Sequence, residues 1–171
     1  MIACFGDSLT YGFGLRPGDK WIDIVRNGGY DINNYGVNGA KIRDIMARIQ
    51  EGPLPTNVFV MGGTNDFDSG GSVESLVKAY LERDSYLTSQ GVRASFGIPT
   101  PTNPAIAEYQ NLSNKLSFFH DELLLTFPRN QLIDFFHAFT PYDSNLFFDE
   151  IHPNKKGSRK MAEVFLKEWS F

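Results

Sequence analysis

Ile2-Ala3-Cys4-Phe5-Gly6-Asp7-Ser8-Leu9 is the stretch from which the rest of the chain can be read. Four apolar residues run straight into a glycine, and an acid and a hydroxyl follow. A short unbroken apolar run bounded by a turn residue suits a strand buried on both faces, the kind found in parallel sheets. In open parallel sheets, ligands gather outside the carboxyl ends of the strands. Gly6, Asp7 and Ser8 therefore fall where chemistry is done.

Similar runs recur at residues 32–35, 58–61, 94–98 and 131–135. Helical patterns lie between them. Within 40–50, Ile42, Ile45, Met46 and Ile49 share one helix face, and 73–88, 106–127 and the stretch from Lys155 onward carry comparable stripes. Strand–helix alternation predicts a five-stranded, mainly parallel, flavodoxin-like sheet covered on both sides: a three-layer α/β/α sandwich. With 171 residues, the chain is expected to form one domain over 1–171. A 42% hydrophobic share supplies a core, which rules out disorder.

Charge and composition remove other classes. Sixteen basic against 20 acidic residues give a net charge of −4, so a nucleic-acid partner, which needs a basic stripe, is not expected. The single Cys4 has no internal disulfide partner, and no Cys/His spacing suits zinc. The longest stretches without a charged residue, 52–65 and 94–107, carry proline and glycine. Each falls short of the roughly 20 apolar residues of a membrane span. With no signal-peptide pattern at Met1, a soluble cytoplasmic protein is expected.

The residues after the strands then matter most. Gly36-Val37-Asn38-Gly39 follows the second and Gly62-Gly63-Thr64-Asn65-Asp66 the third, whereas Pro99-Thr100-Pro101-Thr102 after the fourth offers less chemistry. Ser8 needs a base to take its proton and a third group to orient that base. Asp149-Glu150-Ile151-His152 supplies a pair if it enters a helical turn, where residues three apart share a face. Asp134-Phe135-Phe136-His137 has the same spacing, and spacing alone does not separate the two. The backbone N–H groups of Ser8 and Gly39 and the side-chain amide of Asn65 are candidate oxyanion donors. Asp7 and Asp66 read as structural acids bonding nearby backbone.

Taken together, these blocks resemble the SGNH (GDSL) hydrolase family. The first block stands as Gly6-Asp7-Ser8-Leu9, the second as the glycine of Asn38-Gly39, the third as Gly63-Thr64-Asn65-Asp66, and the last as Asp149 and His152 before Pro153-Asn154. Their order and spacing are the family's and span nearly the whole chain. One departure is Glu150, where the family often has glycine. The resemblance implies an esterase or acyl hydrolase without cofactor or metal, acting on a small-molecule ester. Ser8 would be the nucleophile, His152 the acid/base and Asp149 its orienting group, with Gly39 and Asn65 completing the oxyanion hole. It also separates the two pairs in favour of His152.

Substrates across the family include lysophospholipids, thioesters, short-chain esters and acetylated sugars. The polar loops 66–72 and 99–105 offer no long apolar lid, which favours short acyl groups, acetyl on carbohydrate included. A lysophospholipase or thioesterase is the alternative. A non-catalytic flavodoxin-like binding module is the alternative from another class, weakened by Asp7, whose carboxylate would repel a phosphate in the first loop. Gly12-Phe13-Gly14-Leu15-Arg16-Pro17-Gly18 resembles a phosphate loop only loosely, and Lys155-Lys156 reads as a solvated helix start. The five phenylalanines of 135–148 read mainly as core, with some available to line a pocket beside His152. His120 reads as a surface or packed residue. Monomer and homodimer both remain open.

Overall fold

The computed structural model describes residues 1–53 and 55–169. Its strands are β1 (Ile2–Gly6), β2 (Ile32–Gly36), β3 (Asn57–Met61), β4 (Arg93–Ile98) and β5 (Leu132–Asp134). They pair in parallel throughout, in the order β2-β1-β3-β4-β5. The helices are α1 (Ser8–Tyr11), α2 (Trp21–Asn27), α3 (Ile42–Ile49), α4 (Thr64–Asp68), α5 (Val73–Ser89), α6 (Gln110–Thr126), α7 (Phe135–Ala138) and α8 (Lys155–Glu168). This is the expected α/β/α sandwich with flavodoxin-like strand order.

Alternation along β1 explains the three layers. Ala3 and Phe5 point into a core shared with Ile42, Ile45 and Ile49 of α3 and with the apolar faces of α5 and α6. Ile2 and Cys4 point the other way, towards Trp21, Ile22 and Val25 of α2 and Met161 and Phe165 of α8. Successive strand residues face opposite sides, so a strand covered on both must be apolar throughout. Cys4 is fully buried, and burial pushes its thiol well above the ordinary range, as befits a packing residue.

The chain winds outward from β1 to β2, then crosses back to β3 and on to β5. Strand order therefore reverses between β1 and β3, which is the crevice that open α/β sheets use for ligands. Helices α1 and α4 begin at that crevice. These two, together with α2 and α7, are absent from the sequence pattern, being too short to show a period. Residues 131 and 135 also fall outside β5: Gln131 ends a 3-10 turn and Phe135 opens α7. Among the described residues, no helix is long and apolar enough to cross a membrane.

Candidate active site

Ser8 is placed by its neighbours on both sides. Asp7 Oδ1 accepts the Leu9 N–H at 2.9 Å and starts α1 there. Trp21 Nε1 donates to the Leu9 carbonyl at 3.1 Å, and the indole is buried against Phe59, Phe135 and Phe165. The first turn of α1 is thereby pinned to the α2–α8 core. On the other side, Gly36 of β2 passes so close to the Tyr11 backbone that no side chain fits there. The remaining Asp7 oxygen is buried without a hydrogen-bond partner among the described residues. Burial first, and then the Asp66 charge, push this carboxyl up to about 7, against the pull of the Leu9 amide.

His152 Nε2 lies 3.0 Å from Ser8 Oγ, and His152 Nδ1 lies 2.7 Å from Asp149 Oδ2. The helical turn expected at 149–152 does not form. Instead Asp149 folds back on its own chain, its Oδ1 accepting the N–H groups of Ile151 at 2.8 Å and His152 at 2.6 Å. An Asx turn thus achieves what the helical spacing was expected to do. Burial opposes ionisation of Asp149, but the hydrogen bonds from His152 and Ile151 outweigh it and hold the carboxyl below its ordinary value. A hydroxyl within reach of an imidazole whose far nitrogen meets a carboxylate is the arrangement that activates a serine.

The second and third blocks lie on adjacent loops. Gly39 is exposed at φ 75°, a left-handed conformation that glycine adopts without strain. Asn65 Nδ2 donates to the Ala40 carbonyl at 3.0 Å, and Asp66 Oδ2 accepts the Ile42 N–H at 3.0 Å. The two α4 side chains thus staple down the loop that carries Gly39. Asp66 was expected to bond locally; its partner is 24 residues away. An amide nitrogen carries two hydrogens, so Asn65 keeps one beyond its bond to Ala40.

Two aromatic rings flank His152, of which sequence reading missed Phe13 and offered Phe148 only as one of the five phenylalanines of 135–148. Phe13 lies 4.7 Å from the imidazole, centroid to centroid, and Phe148 stacks on it at 5.7 Å and 15°. The loop likened to a phosphate cradle therefore serves as a wall of this cleft. Glycines flanking an aromatic were the available signal. Of the five phenylalanines, Phe135, Phe139 and Phe147 are core, as expected, while Phe148 faces the cleft. Lys155 is not simply solvated, since its Nζ meets Asp19 at 2.8 Å. A cavity of about 10 Å³ adjoins Ser8 and His152, walled by Leu9, Phe13, Trp21 and Met161.

The second Asp-x-x-His does not assemble. Asp134 Oδ1 accepts the backbone N–H of His137 at 2.9 Å and caps α7. The imidazole that meets Asp134 is that of His120, at 3.2 Å.

The model of the GDSL-like lipase/acylhydrolase family matches residues 4–160. The chain belongs to that family. As a GDSL hydrolase it is an enzyme acting on esters. Solved structures agree in fold. A member of the lipolytic G-D-S-L family from Veillonella parvula has 26% identity and a TM-score of 0.78, over 97% of this chain and 96% of that one. The acetylxylan esterase Axe2 of Geobacillus stearothermophilus has 20% identity and a TM-score of 0.74, over 99% and 94%. TesA has 19% identity and a TM-score of 0.70, over 98% and 96%. No curated protein matches this GDSL hydrolase by sequence.

Proposed function

We propose that this GDSL hydrolase, a single domain over 1–171, cleaves short-chain esters, acetyl esters of carbohydrates included, through an acyl-enzyme on Ser8. The observation that carries the mechanism is the continuous line from Ser8 Oγ through His152 to Asp149. Ser8 Oγ attacks the ester carbonyl while His152 Nε2 takes its proton. Asp149 holds the imidazole in orientation and stabilises its positive form. The tetrahedral oxyanion faces the backbone N–H groups of Ser8 and Gly39 and the second hydrogen of the Asn65 amide. Collapse breaks the carbon–oxygen bond, and His152 protonates the departing alcohol. Water then repeats the sequence on the acyl-enzyme, releasing the acid and free Ser8.

Two features support a short acyl group and an uncharged alcohol. The cavity beside Ser8, about 10 Å³, has room for roughly one water, and Leu9, Trp21 and Met161 among its walls are buried in the core. The rim is acidic. The Tyr142 hydroxyl is pushed up to about 12 by burial and then by Glu150 and Asp149. The Tyr109 hydroxyl is raised by the same two acids and by Glu108 and Asp68, after burial. Asp149 and Glu150 thus act on both hydroxyls, and their negative charge beside His152 disfavours an anionic leaving group. An apolar groove of about 490 Å³, lined by Phe5, Tyr35, Val37 and Pro53, shares no lining residue with the cavity at Ser8.

The test is a series of p-nitrophenyl esters from acetyl to dodecanoyl, followed by acetylated sugars, with Ser8→Ala as control. Activity highest on acetyl and lost in Ser8→Ala is expected. Activity rising towards dodecanoyl would overturn the short-acyl reading in favour of a lysophospholipase or thioesterase. Parent-like activity in Ser8→Ala would remove the mechanism.

A further inference from the structure

The Asp149–His152 segment has little regular structure to hold it. Between α7 and α8 the chain forms a 3-10 turn at Ser144–Leu146 and one antiparallel bridge, Phe147 to Pro153. The bonds inside the segment tie it to itself. Phe148 N–H donates to the His152 carbonyl at 3.1 Å, Tyr142 Oη to the Asp149 carbonyl at 3.2 Å, and Asn154 Nδ2 to the Phe147 carbonyl at 3.1 Å. These fix its shape. They do not fix its distance from Ser8, which belongs to the first turn after β1.

A contact from the β4 side does reach the tip of the segment. Asn103 donates its backbone N–H to the Glu150 carbonyl at 3.1 Å and its Nδ2 to Glu150 Oε2 at 2.6 Å. One bond sets the position of residue 150 and the other its twist. The base from which Asn103 reaches is firm. Thr100 and Thr102 are each 1% exposed, and Thr102 Oγ1 lies 2.7 Å from Ser113 Oγ of α6. Asn103 Oδ1 in turn accepts the Ala105 N–H at 3.1 Å. Glu150 adjoins Asp149, so any shift at 150 passes to the carboxylate that orients His152.

We propose that Asn103 and Glu150 form a latch between the β4 loop and the acid–base segment, acting as positioning residues for His152 against Ser8. The latch rests on the Ser8 mechanism proposed above. It gives Glu150, the departure from the family's usual glycine, a purpose. A glycine there keeps the backbone bond and loses the side-chain one. The carboxylate adds a charge beside Asp149, an electrostatic cost offset by the donor that Asn103 presents to it.

The test compares the parent with Asn103→Asp, Glu150→Gln and the double variant, measuring kcat and KM on p-nitrophenyl acetate. Melting temperature and the rate at which paraoxon labels Ser8 are followed in parallel. Asn103→Asp sets two carboxylates against each other. Its kcat and labelling rate fall roughly 10- to 100-fold, while KM changes little. Glu150→Gln keeps an acceptor for Asn103 and stays near the parent. In the double variant the glutamine amide donates to the aspartate, and kcat recovers to within about threefold of the parent.

Parent-like kcat in Asn103→Asp, or no recovery in the folded double variant, overturns the latch. If Asn103→Asp does not fold, Glu150→Ala decides: a kcat loss of about tenfold at unchanged KM is expected, and a parent-like kcat overturns it. Ser8→Ala separates the two layers of the argument. If it is inactive and unlabelled while Asn103→Asp behaves as the parent, only the latch falls. If it keeps the parent rate, the Ser8 reading falls first and the latch with it.

Discussion

His152 and His120 each hold a carboxylate on one side and differ in what stands on the other. His152 meets Asp149 at Nδ1 and the Ser8 hydroxyl at Nε2. His120, on α6, meets Asp121 at Nδ1, 2.9 Å away, and Asp134 at Nε2, 3.2 Å away. The two imidazoles are about equally covered, at 18% and 14% exposed. Burial therefore does not distinguish them. With both ring nitrogens taken by carboxylates, His120 has none left for a hydroxyl proton, and its work is to join α6 to the end of β5. A carboxylate on a histidine orients it; the group at the second nitrogen decides whether it does chemistry.

The widest separation between the two is expected from alanine. His152→Ala lowers kcat by about 10⁴ or more, the range seen when a member of such a unit is removed. His120→Ala leaves kcat near the parent value. It costs on the order of 1–3 kcal/mol of stability instead, because Asp134, whose side chain is 6% exposed, loses a partner inside the protein. Steady-state kinetics and thermal melting on both variants check this. Lost activity in a fully stable His120→Ala would break the comparison.

A smaller effect is expected at Asn65, whose counterpart the His120 cluster lacks. Asn65→Ala removes the oxyanion donor proposed above, and kcat is expected to fall about 10²- to 10³-fold with KM little changed. It also removes the bond to Ala40, so a crystal structure or amide exchange of loop 37–41 must accompany the kinetics. If kcat falls only when that loop moves, Asn65 acts through Gly39 rather than on the substrate.

The same contrast shows how far sequence carried the reading. Apolar runs named every strand to within a residue or two, because a strand covered on both faces has to be apolar throughout. Ser8 was legible at the end of the first strand, and Asp149 and His152 as an Asp-x-x-His pair that only the family resemblance separated from Asp134 and His137. The His120 pair was not. Its carboxylates come from two elements, and Asp134 presents the spacing to His137 while spending that oxygen on a helix cap. Helix α2 was hidden because seven residues between glycine-rich loops show barely two turns. Asn103 and Glu150 lie 47 positions apart in polar loops, and neither residue type signals a partner. Short helices and long-range polar bonds are set by the tertiary fold, whereas strands announce themselves locally.

Asp7 extends the comparison to a carboxylate with no imidazole. Asp149, bonded to His152 and to two backbone amides, is held below its ordinary value. Asp7, fully buried, with one oxygen on Leu9 and the other unpartnered among the described residues, is pushed from 3.8 up to about 7. Between those two values the folded chain keeps a proton on Asp7 that the unfolded chain has released. The native state then binds more protons, so the stability from this group is full below about 3.8 and is lost as pH rises to about 7. The Asp149 contribution runs the other way, present above its ordinary value and lost as pH falls through its lowered one. Asp7→Asn keeps the acceptor for Leu9 and abolishes the titration. Melting temperatures from pH 4 to 7 should therefore fall less steeply with pH in Asp7→Asn than in the parent. Parallel curves would mean that Asp7 is ionised in the fold, its second oxygen finding a cation or water, and that an acid beside the nucleophile needs no histidine to keep its charge.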